Sequence, residues 1–245
     1  MNYSSLDDSE TPIKLLLIGP NGGGKTFKAA QLPRPVILNF DNNLSGLRKL
    51  PEAVRRGLKI VNPRMTESGK EINDPKQLWQ NLVKILEAVT EDTTIDNIVI
   101  DSLTTFSELI FDKIVGATGL EAKVEIQHYY EFGRHLKWLG DEYLNSPMLK
   151  QNVIFLAHEE VREHKATKEW QGTLYLPSKQ RDMFGLYFTD CWRVFAKPGA
   201  DKPKYMVRTL PSGSYPALKC SLPLPTEFEW DTQMTEVQKF FTRKG

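Results

Sequence analysis

The stretch that decides the fold lies near the start of the chain, where residues 13–26 read IKLLLIGPNGGGKT. The run from Ile13 to Ile18 is too continuously apolar for a strand that alternates between core and solvent, so it predicts a strand buried on both faces. Residues 19–26 follow directly and match the pattern GxxxxGK[ST], and a helical stretch over 24–31 comes next. Strand, glycine-rich loop and helix in this order predict a phosphate-binding loop.

The residue types of this loop suit phosphate binding. Glycines let the backbone curl so that successive N–H groups point at phosphate oxygens, and the following helix adds the positive end of its dipole. By its place in the motif, Lys25 is expected to reach the β- and γ-phosphates, and the Thr26 hydroxyl is expected to ligate Mg²⁺. The whole predicted cradle is Gly19, Pro20, Asn21, Gly22, Gly23, Gly24, Lys25 and Thr26. This loop contacts phosphates and not the base, so it does not distinguish ATP from GTP.

Further apolar runs resemble the first and alternate with helical patterns. The runs are PVILNF at 35–40, NIVID at 97–101 and NVIFLA at 152–157, and the helical patterns cover 75–90, 103–115 and 127–145. Strand alternating with helix predicts an α/β fold, a three-layer P-loop NTPase with a mainly parallel central sheet. After residue 170, shorter runs broken by Pro and Gly predict added C-terminal strands and hairpins, and TEVQKFFTRK at 235–244 predicts a final helix.

Composition and charge exclude several classes of protein. The 245 residues are 40% hydrophobic, and 32 Lys and Arg against 31 Asp and Glu leave a charge of +1, so any affinity for nucleic acid must come from local patches. No apolar run approaches the ~18 residues of a membrane-spanning helix. Cys191 and Cys220 form no CxxC pair, which favours reduced thiols in the cytoplasm. Residues 1–11 are expected to be an acidic mobile tail, and 12–245 one domain.

A second motif, NIVIDS at 97–102, ends an apolar strand in Asp101. In P-loop proteins a carboxylate at this position holds Mg²⁺. Ligands of parallel sheets sit at the carboxyl ends of the strands, which predicts that Asp101 belongs to the same ATP and Mg²⁺ site as the loop. Ser102 is expected to add a hydrogen bond there.

Several of these segments carry a family resemblance. VILNFDNN, IVIDSLTTF, VIFLAHEE and the helical QHYYEFGRHLKWLGDEYLN resemble the core of the RecA-like recombinases. More narrowly, roughly residues 12–220 resemble the compact phage proteins of this type, the Sak-type single-strand annealing ATPases. The resemblance implies an ATPase in the host cytoplasm that assembles into a ring or filament and acts on single-stranded DNA in recombination or annealing. It also makes a single-strand-binding protein a candidate partner.

The resemblance implies two further site positions. An acidic residue just after the second strand activates water in such ATPases, and the best register puts Asn43 there, with Asp41 two residues earlier on the same strand face. Asn orients water but cannot take its proton, so either Asp41 is the base or hydrolysis is slow. A simple turn before Leu44 is the other interpretation. His158 matches the position that senses the γ-phosphate, and Glu159 is a candidate to fix its tautomer.

Two polar stretches are candidates for contact with DNA or a neighbouring subunit. For the first, 159–181, the RecA-like resemblance implies a loop that touches single-stranded DNA, and a solvated charged loop is the other interpretation. The candidate residues are Arg162, Lys165, Lys168, Trp170, Lys179 and Arg181. Aromatic residues there provide faces on which bases stack. The second, 197–219, is the most basic window. Its Arg208 or Lys219 would act in trans like an arginine finger, contact the phosphate backbone, or lie on a solvated hairpin.

Two rival functions share the phosphate loop. A nucleotide-gated binding module that does not hydrolyse ATP is motivated by Asn43 at the expected glutamate position. A small-molecule kinase needs clustered arginines over the acceptor, and Arg162 and Arg181 lie far apart in the sequence.

Overall fold

The strands of the chain form one sheet in the order β3-β2-β4-β5-β1-β7-β8-β9, with β6 paired to β5 outside this row. The structure is a computed structural model that describes residues 11–116, 123–164, 167–177, 180–200 and 202–243. Over these residues the strands are β1 (Lys14–Gly19), β2 (Pro35–Asn39), β3 (Lys59–Val61), β4 (Asn97–Asp101), β5 (Asn152–Glu163), β6 (Trp170–Leu174), β7 (Asp190–Lys197), β8 (Lys204–Arg208) and β9 (Glu227–Glu229). The helices are α1 (Lys25–Ala29), α2 (Glu52–Gly57), α3 (Pro75–Glu91), α4 (Leu103–Val115), α5 (Ile126–Trp138), α6 (Gln180–Phe184) and α7 (Trp230–Phe241).

The central strands are parallel and are buried along almost their whole length. β2 and β4 are buried throughout, and β1 is buried from Leu15 onward. β1 pairs with β5 on one edge and with β7 on the other, and Gly19 lies opposite His158 in the first of these ladders. β2 pairs with β4 so that Asn39 lies opposite Asp101. These registers bring the carboxyl ends of β1, β2 and β4 to one edge of the sheet.

Alternate residues of the strands pack against helices on the two faces of the sheet. On one face, Leu16 and Ile18 join the core formed with α3, α4 and α5, whose buried residues include Leu82, Phe106 and Phe132. On the other, the core around Leu15 and Leu17 includes Ala29 of α1 and Phe241 of α7. The predicted three-layer α/β fold with a mainly parallel sheet is confirmed.

The C-terminal part adds antiparallel strands to this sheet, as predicted. β7 pairs with β8 and β8 with β9, both antiparallel. The final helix begins at Trp230, five residues before the predicted start, because Trp230 is fully buried in the core beside α1 and extends the apolar face. The predicted acidic tail lies outside the described residues except for Thr11.

Two predicted elements differ in the structure. The helix predicted over 127–145 ends at Trp138 and continues as a π-helical segment, Leu139–Leu144. The strand predicted over 152–157 continues to Glu163, and its second half pairs with β6 from Glu159 opposite Leu174 to Glu163 opposite Trp170. The first part of the predicted loop 159–181 is therefore a β-hairpin, because backbone pairing with β6 satisfies this polar segment.

The first glycine of the phosphate loop is required by packing against β7. A Cβ added at Gly19 would lie 2.1 Å from the carbonyl oxygen of Val194, which belongs to the backbone and cannot rotate away. We predict that Gly19→Ala lowers the free energy of unfolding by about 1–3 kcal/mol, the usual cost of overpacking. Urea denaturation measures this change. Gly46→Ala is the matched control, since nothing lies within 4 Å of a Cβ there, and an equal loss in both variants would contradict the prediction.

Candidate nucleotide-binding site

The loop between β1 and α1 has a backbone that only glycine adopts readily. Gly22 has a φ of 71° and Gly24 a φ of 91°, both in the left-handed region. The N–H of Gly23 donates to the carbonyl of Pro20 at 3.1 Å and closes the turn. At Gly24 there is no room for a side chain either, because a Cβ would lie 2.7 Å from Cδ1 of Tyr205 on β8. The predicted glycine loop thus has the shape expected at the carboxyl end of β1.

Lys25 lies at the centre of the site. Its Nζ donates to the carbonyl oxygens of Gly19 and Pro20, each at 2.9 Å, and lies 3.4 Å from Nδ1 of His158. An ammonium group only donates, so Nδ1 is the acceptor and the ring proton of His158 is on Nε2. Burial lowers the pKa of Lys25 to about 8, although Asp101, Glu159 and Asp41 raise it. Burial, and next the charge of Lys25, lowers the pKa of His158, which favours its neutral form.

The two sequence motifs meet through a single hydrogen bond. The Thr26 hydroxyl donates to Oδ2 of Asp101 at 2.9 Å. Burial and the nearby charge of Asp41 raise the pKa of Asp101 to about 7, while the Thr26 hydrogen bond and Lys25 lower it. A hydroxyl and carboxylate oxygens are the hard ligands that Mg²⁺ prefers, so Thr26 and Asp101 fit the ion that the P-loop implies.

Asp41, and not Asn43, is held beside Asp101. The N–H and the hydroxyl of Ser102 both donate to Oδ1 of Asp41, at 3.2 and 2.9 Å. Asn43 is exposed, and its side chain accepts from the Ser45 hydroxyl at 3.0 Å. The expectation that the two lie on one face of a strand is wrong, because β2 ends at Asn39. The segment after it is a turn, in which the N–H of residue 42 donates to Asn39 Oδ1.

Comparison with known protein families agrees with this geometry. The sequence profile of the AAA domain matches residues 11–185, more than two thirds of the chain. The chain belongs to the AAA domain family. This confirms the prediction of a P-loop ATPase fold that binds a nucleotide.

One solved structure of low sequence identity also resembles the chain. The solved structure of the KaiC-like protein PH0186 from the hyperthermophilic archaeon Pyrococcus horikoshii OT3 is similar to this chain, with a TM-score of 0.44, 14% sequence identity, and coverage of 80% of this chain and 78% of that one. No curated protein sequence matches. Among the residues that the structure describes, no helix is both long and apolar enough to cross a membrane.

The expected partnership of Glu159 with His158 is wrong. Successive residues of a strand point to opposite faces, so the two side chains diverge. Nε and Nη2 of Arg193, on β7, donate to the two carboxylate oxygens of Glu159 at 2.7 and 2.8 Å. The guanidinium carbon of Arg193 also lies 4.2 Å from the ring centre of Tyr215 and 4.6 Å from that of Phe195. Lys25, rather than Glu159, determines the tautomer of His158.

The DNA candidates on the hairpin fall into two groups. Arg162 and Arg181, distant in the sequence, both form ion pairs with Oε1 of Glu160, at 2.8 and 2.9 Å. Lys168 and Trp170 lie near the tip, where both are exposed and Trp170 is 67% accessible. Lys165 and Lys179 lie outside the described residues.

The basic window at 197–219 is largely balanced by acidic residues of β9. Arg208 donates from Nε and Nη2 to Oε2 of Glu227 at 3.0 and 2.6 Å, and Lys197 also pairs with Glu227. Lys204 pairs with Glu229 at 3.0 Å. Lys219 is half-buried, and its backbone pairs with that of Cys191. The positive charge counted along the sequence is therefore not a uniformly positive surface in the folded protein.

Sequence reasoning missed Tyr205 and Arg193, which approach the site from β8 and β7. Each lies more than 160 residues after the loop, in segments without a motif. The pairing of β7 with β1 puts Arg193 opposite Ile18 and so brings β7, and β8 beyond it, to the phosphate loop.

The Glu159–Arg193 pair is mostly buried, with side-chain exposures of 8% and 16%. We predict that Glu159→Gln lowers the free energy of unfolding by about 2 kcal/mol, because the Arg193 charge loses its partner in a poorly solvated place. Chemical denaturation without nucleotide measures it. Glu236→Gln, which removes an exposed partner of Lys239, is expected to change stability by less than about 0.5 kcal/mol. Similar losses of stability in the two variants would show that burial of the Glu159–Arg193 pair does not add to its contribution.

Proposed function

We propose that the protein is a Mg²⁺-dependent ATPase of RecA-like type that hydrolyses ATP slowly and acts on single-stranded DNA in recombination or annealing. The observation that carries the ATPase part is the hydrogen bond from Thr26 to Asp101, which joins the phosphate loop to the acidic end of β4. Lys25 and Asp41 lie close enough to Asp101 to shift its pKa, and His158 lies 3.4 Å from Lys25, so groups for phosphate, metal and water lie together.

Each of these side chains has a distinct role in the proposal. Lys25 exchanges its bonds to the loop carbonyls for oxygens of the β- and γ-phosphates. Thr26 and Asp101 hold Mg²⁺, which when bound screens the phosphate charge. Asp41 has its carboxylate fixed by two donors from Ser102, and it orients the attacking water and accepts its proton. His158 has its proton on Nε2, from which it donates to the γ-phosphate.

The DNA part of the proposal is supported by the continuity of β5. His158 and the β5–β6 hairpin belong to the same strand, so a shift at the γ-phosphate reaches the hairpin along continuous backbone. Trp170 at the tip offers a stacking face, and base stacking contributes ~1–3 kcal/mol per base. Lys168 and Arg162 supply positive charge for the phosphate backbone.

Assembly is the remaining part of the proposal. Copies of the chain form a ring or filament in the cytoplasm of the host cell, and a single-strand-binding protein delivers the DNA. Arg208 and Lys219 are the candidates to complete the ATP site of a neighbour. Arg208 would first have to leave Glu227.

The hydrolytic step is tested with three variants. We expect Lys25→Ala to abolish ATP binding, and Asp41→Ala to retain binding but lose at least tenfold in turnover. Asn43→Ala is the matched control and is expected to retain turnover, because Asn43 is exposed on the turn. Phosphate release with Mg²⁺, with and without single-stranded DNA, and calorimetric ATP binding provide the measurements.

Other results would change the assigned function or the assigned water-positioning residue. Tight ATP binding without turnover under any condition would replace the ATPase by a nucleotide-gated binding module. Loss of turnover in Asn43→Ala, with Asp41→Ala active, would assign water positioning to Asn43. Absence of ATP binding by the wild-type protein would refute the proposal.

The hairpin is tested by single-strand binding. We expect the double variant Trp170→Ala with Lys168→Ala to bind a fluorescent oligonucleotide at least tenfold more weakly, since it loses a stacking face and a charge. Fluorescence anisotropy at fixed salt measures the affinity. Tyr130→Ala, which removes a 74% exposed ring from α5, is the control. Unchanged binding by the double variant would remove the hairpin from the proposed DNA site.

A further inference from the structure

Two aromatic rings flank the start of α1. Tyr205 of β8 approaches Gly24 so closely that a Cβ there would lie 2.7 Å from the ring. Phe27 is on α1 itself, in the residue after Thr26. The ammonium group of Lys28 lies 5.0 Å from the ring centre of Tyr205 and 5.2 Å from that of Phe27, and it is held by an ion pair with Asp231. Both rings are half-buried and keep part of their surface in solvent.

The order of strands indicates which end of a nucleotide these rings meet. The groups assigned to the γ-phosphate and the metal, Asp101 and His158, belong to β4 and β5, on one side of β1. β7 and β8 lie on the other side. A triphosphate whose γ end is at β4 and β5 therefore runs along the loop with its nucleoside end toward α1 and β8. Tyr205 and Phe27 both lie at that end of the loop.

We propose that Tyr205, together with Phe27, forms the platform on which the base of the nucleotide stacks, so that the substrates are purine nucleoside triphosphates with little distinction between adenine and guanine. The inference rests on the proposed nucleotide site. Stacking acts on the face of a base and is the same for both purines, whereas discrimination requires hydrogen bonds to the base edges. The smaller ring of a pyrimidine covers less of the platform. The Lys28 ammonium beside both rings keeps their position fixed through cation–π contact.

The test compares ligands with and without a base. Titration calorimetry with Mg²⁺ gives the affinities of ATP, GTP, UTP and inorganic tripolyphosphate for the wild-type protein, Tyr205→Leu, Tyr205→Phe and the remote control Tyr130→Leu. We expect wild type to bind ATP and GTP within about threefold of each other, and both more tightly than UTP or tripolyphosphate. Tyr205→Leu is expected to weaken ATP and GTP about fivefold or more without changing tripolyphosphate. Tyr205→Phe retains the ring, so it is expected to bind ATP and GTP more tightly than tripolyphosphate, as the wild-type protein does.

Tripolyphosphate, which has no base, distinguishes loss of base stacking from loss of phosphate binding. Equal weakening of all four ligands by Tyr205→Leu would mean that the ring only supports the loop, and no weakening would place the base elsewhere; either overturns the inference. If circular dichroism shows that Tyr205→Leu does not fold, Phe27→Leu and the wild-type series still test the inference. Wild-type protein that binds tripolyphosphate as tightly as ATP would overturn the proposed base platform. Failure of wild type to bind any of the four ligands would instead refute the proposed nucleotide site.

Discussion

Strand β1 is hydrogen-bonded on both edges and buried on both faces, and the whole candidate site is positioned relative to its carboxyl end. A strand held in this way cannot slide, since a shift of one residue would move its apolar side chains from one core to the other. The loop after Gly19 must therefore emerge between His158 of β5 and Val194 of β7. The close approach of Val194 leaves no space for a side chain at Gly19, so the packing of the sheet and the sequence of the loop are coupled.

The site gathers more charge than such a buried place easily accommodates. Burial lowers the pKa of Lys25 to about 8 and raises that of Asp101 to about 7, and the nearby charge of Asp41 acts to raise both pKa values. Charges removed from water are costly unless they are paired, and they cluster where binding or catalysis needs them. A triphosphate with a divalent cation supplies opposite charges to both the lysine and the carboxylates. The arrangement is consistent with a site whose charges are complementary to its ligand.

Around this centre, ion pairs between residues distant in the sequence change which parts of the surface carry net positive charge. Glu160 joins Arg162 to Arg181, and Glu227 receives both Lys197 and Arg208. The window with the greatest positive charge in the sequence is thus partly neutralised by β9, which begins at Glu227, outside the window. The hairpin tip instead keeps Trp170 and Lys168 exposed to solvent. Counted from the sequence alone, the basic window has more net positive charge than the hairpin, yet in the folded protein several of its cations are paired with acidic residues of β9.

The sequence by itself determined the parts that depend on neighbouring residues. The continuous apolar runs predicted β1, β2, β4 and the first half of β5, and the loop motif predicted the phosphate site, because burial pattern and glycine geometry are local properties. Only the tertiary structure decided between Asp41 and Asn43, joined Glu159 to Arg193, and brought Tyr205 against Gly24. These contacts connect residues far apart in the chain, or depend on where a strand ends within a turn. Strand order and register specify them, and neither quantity is encoded in any short segment.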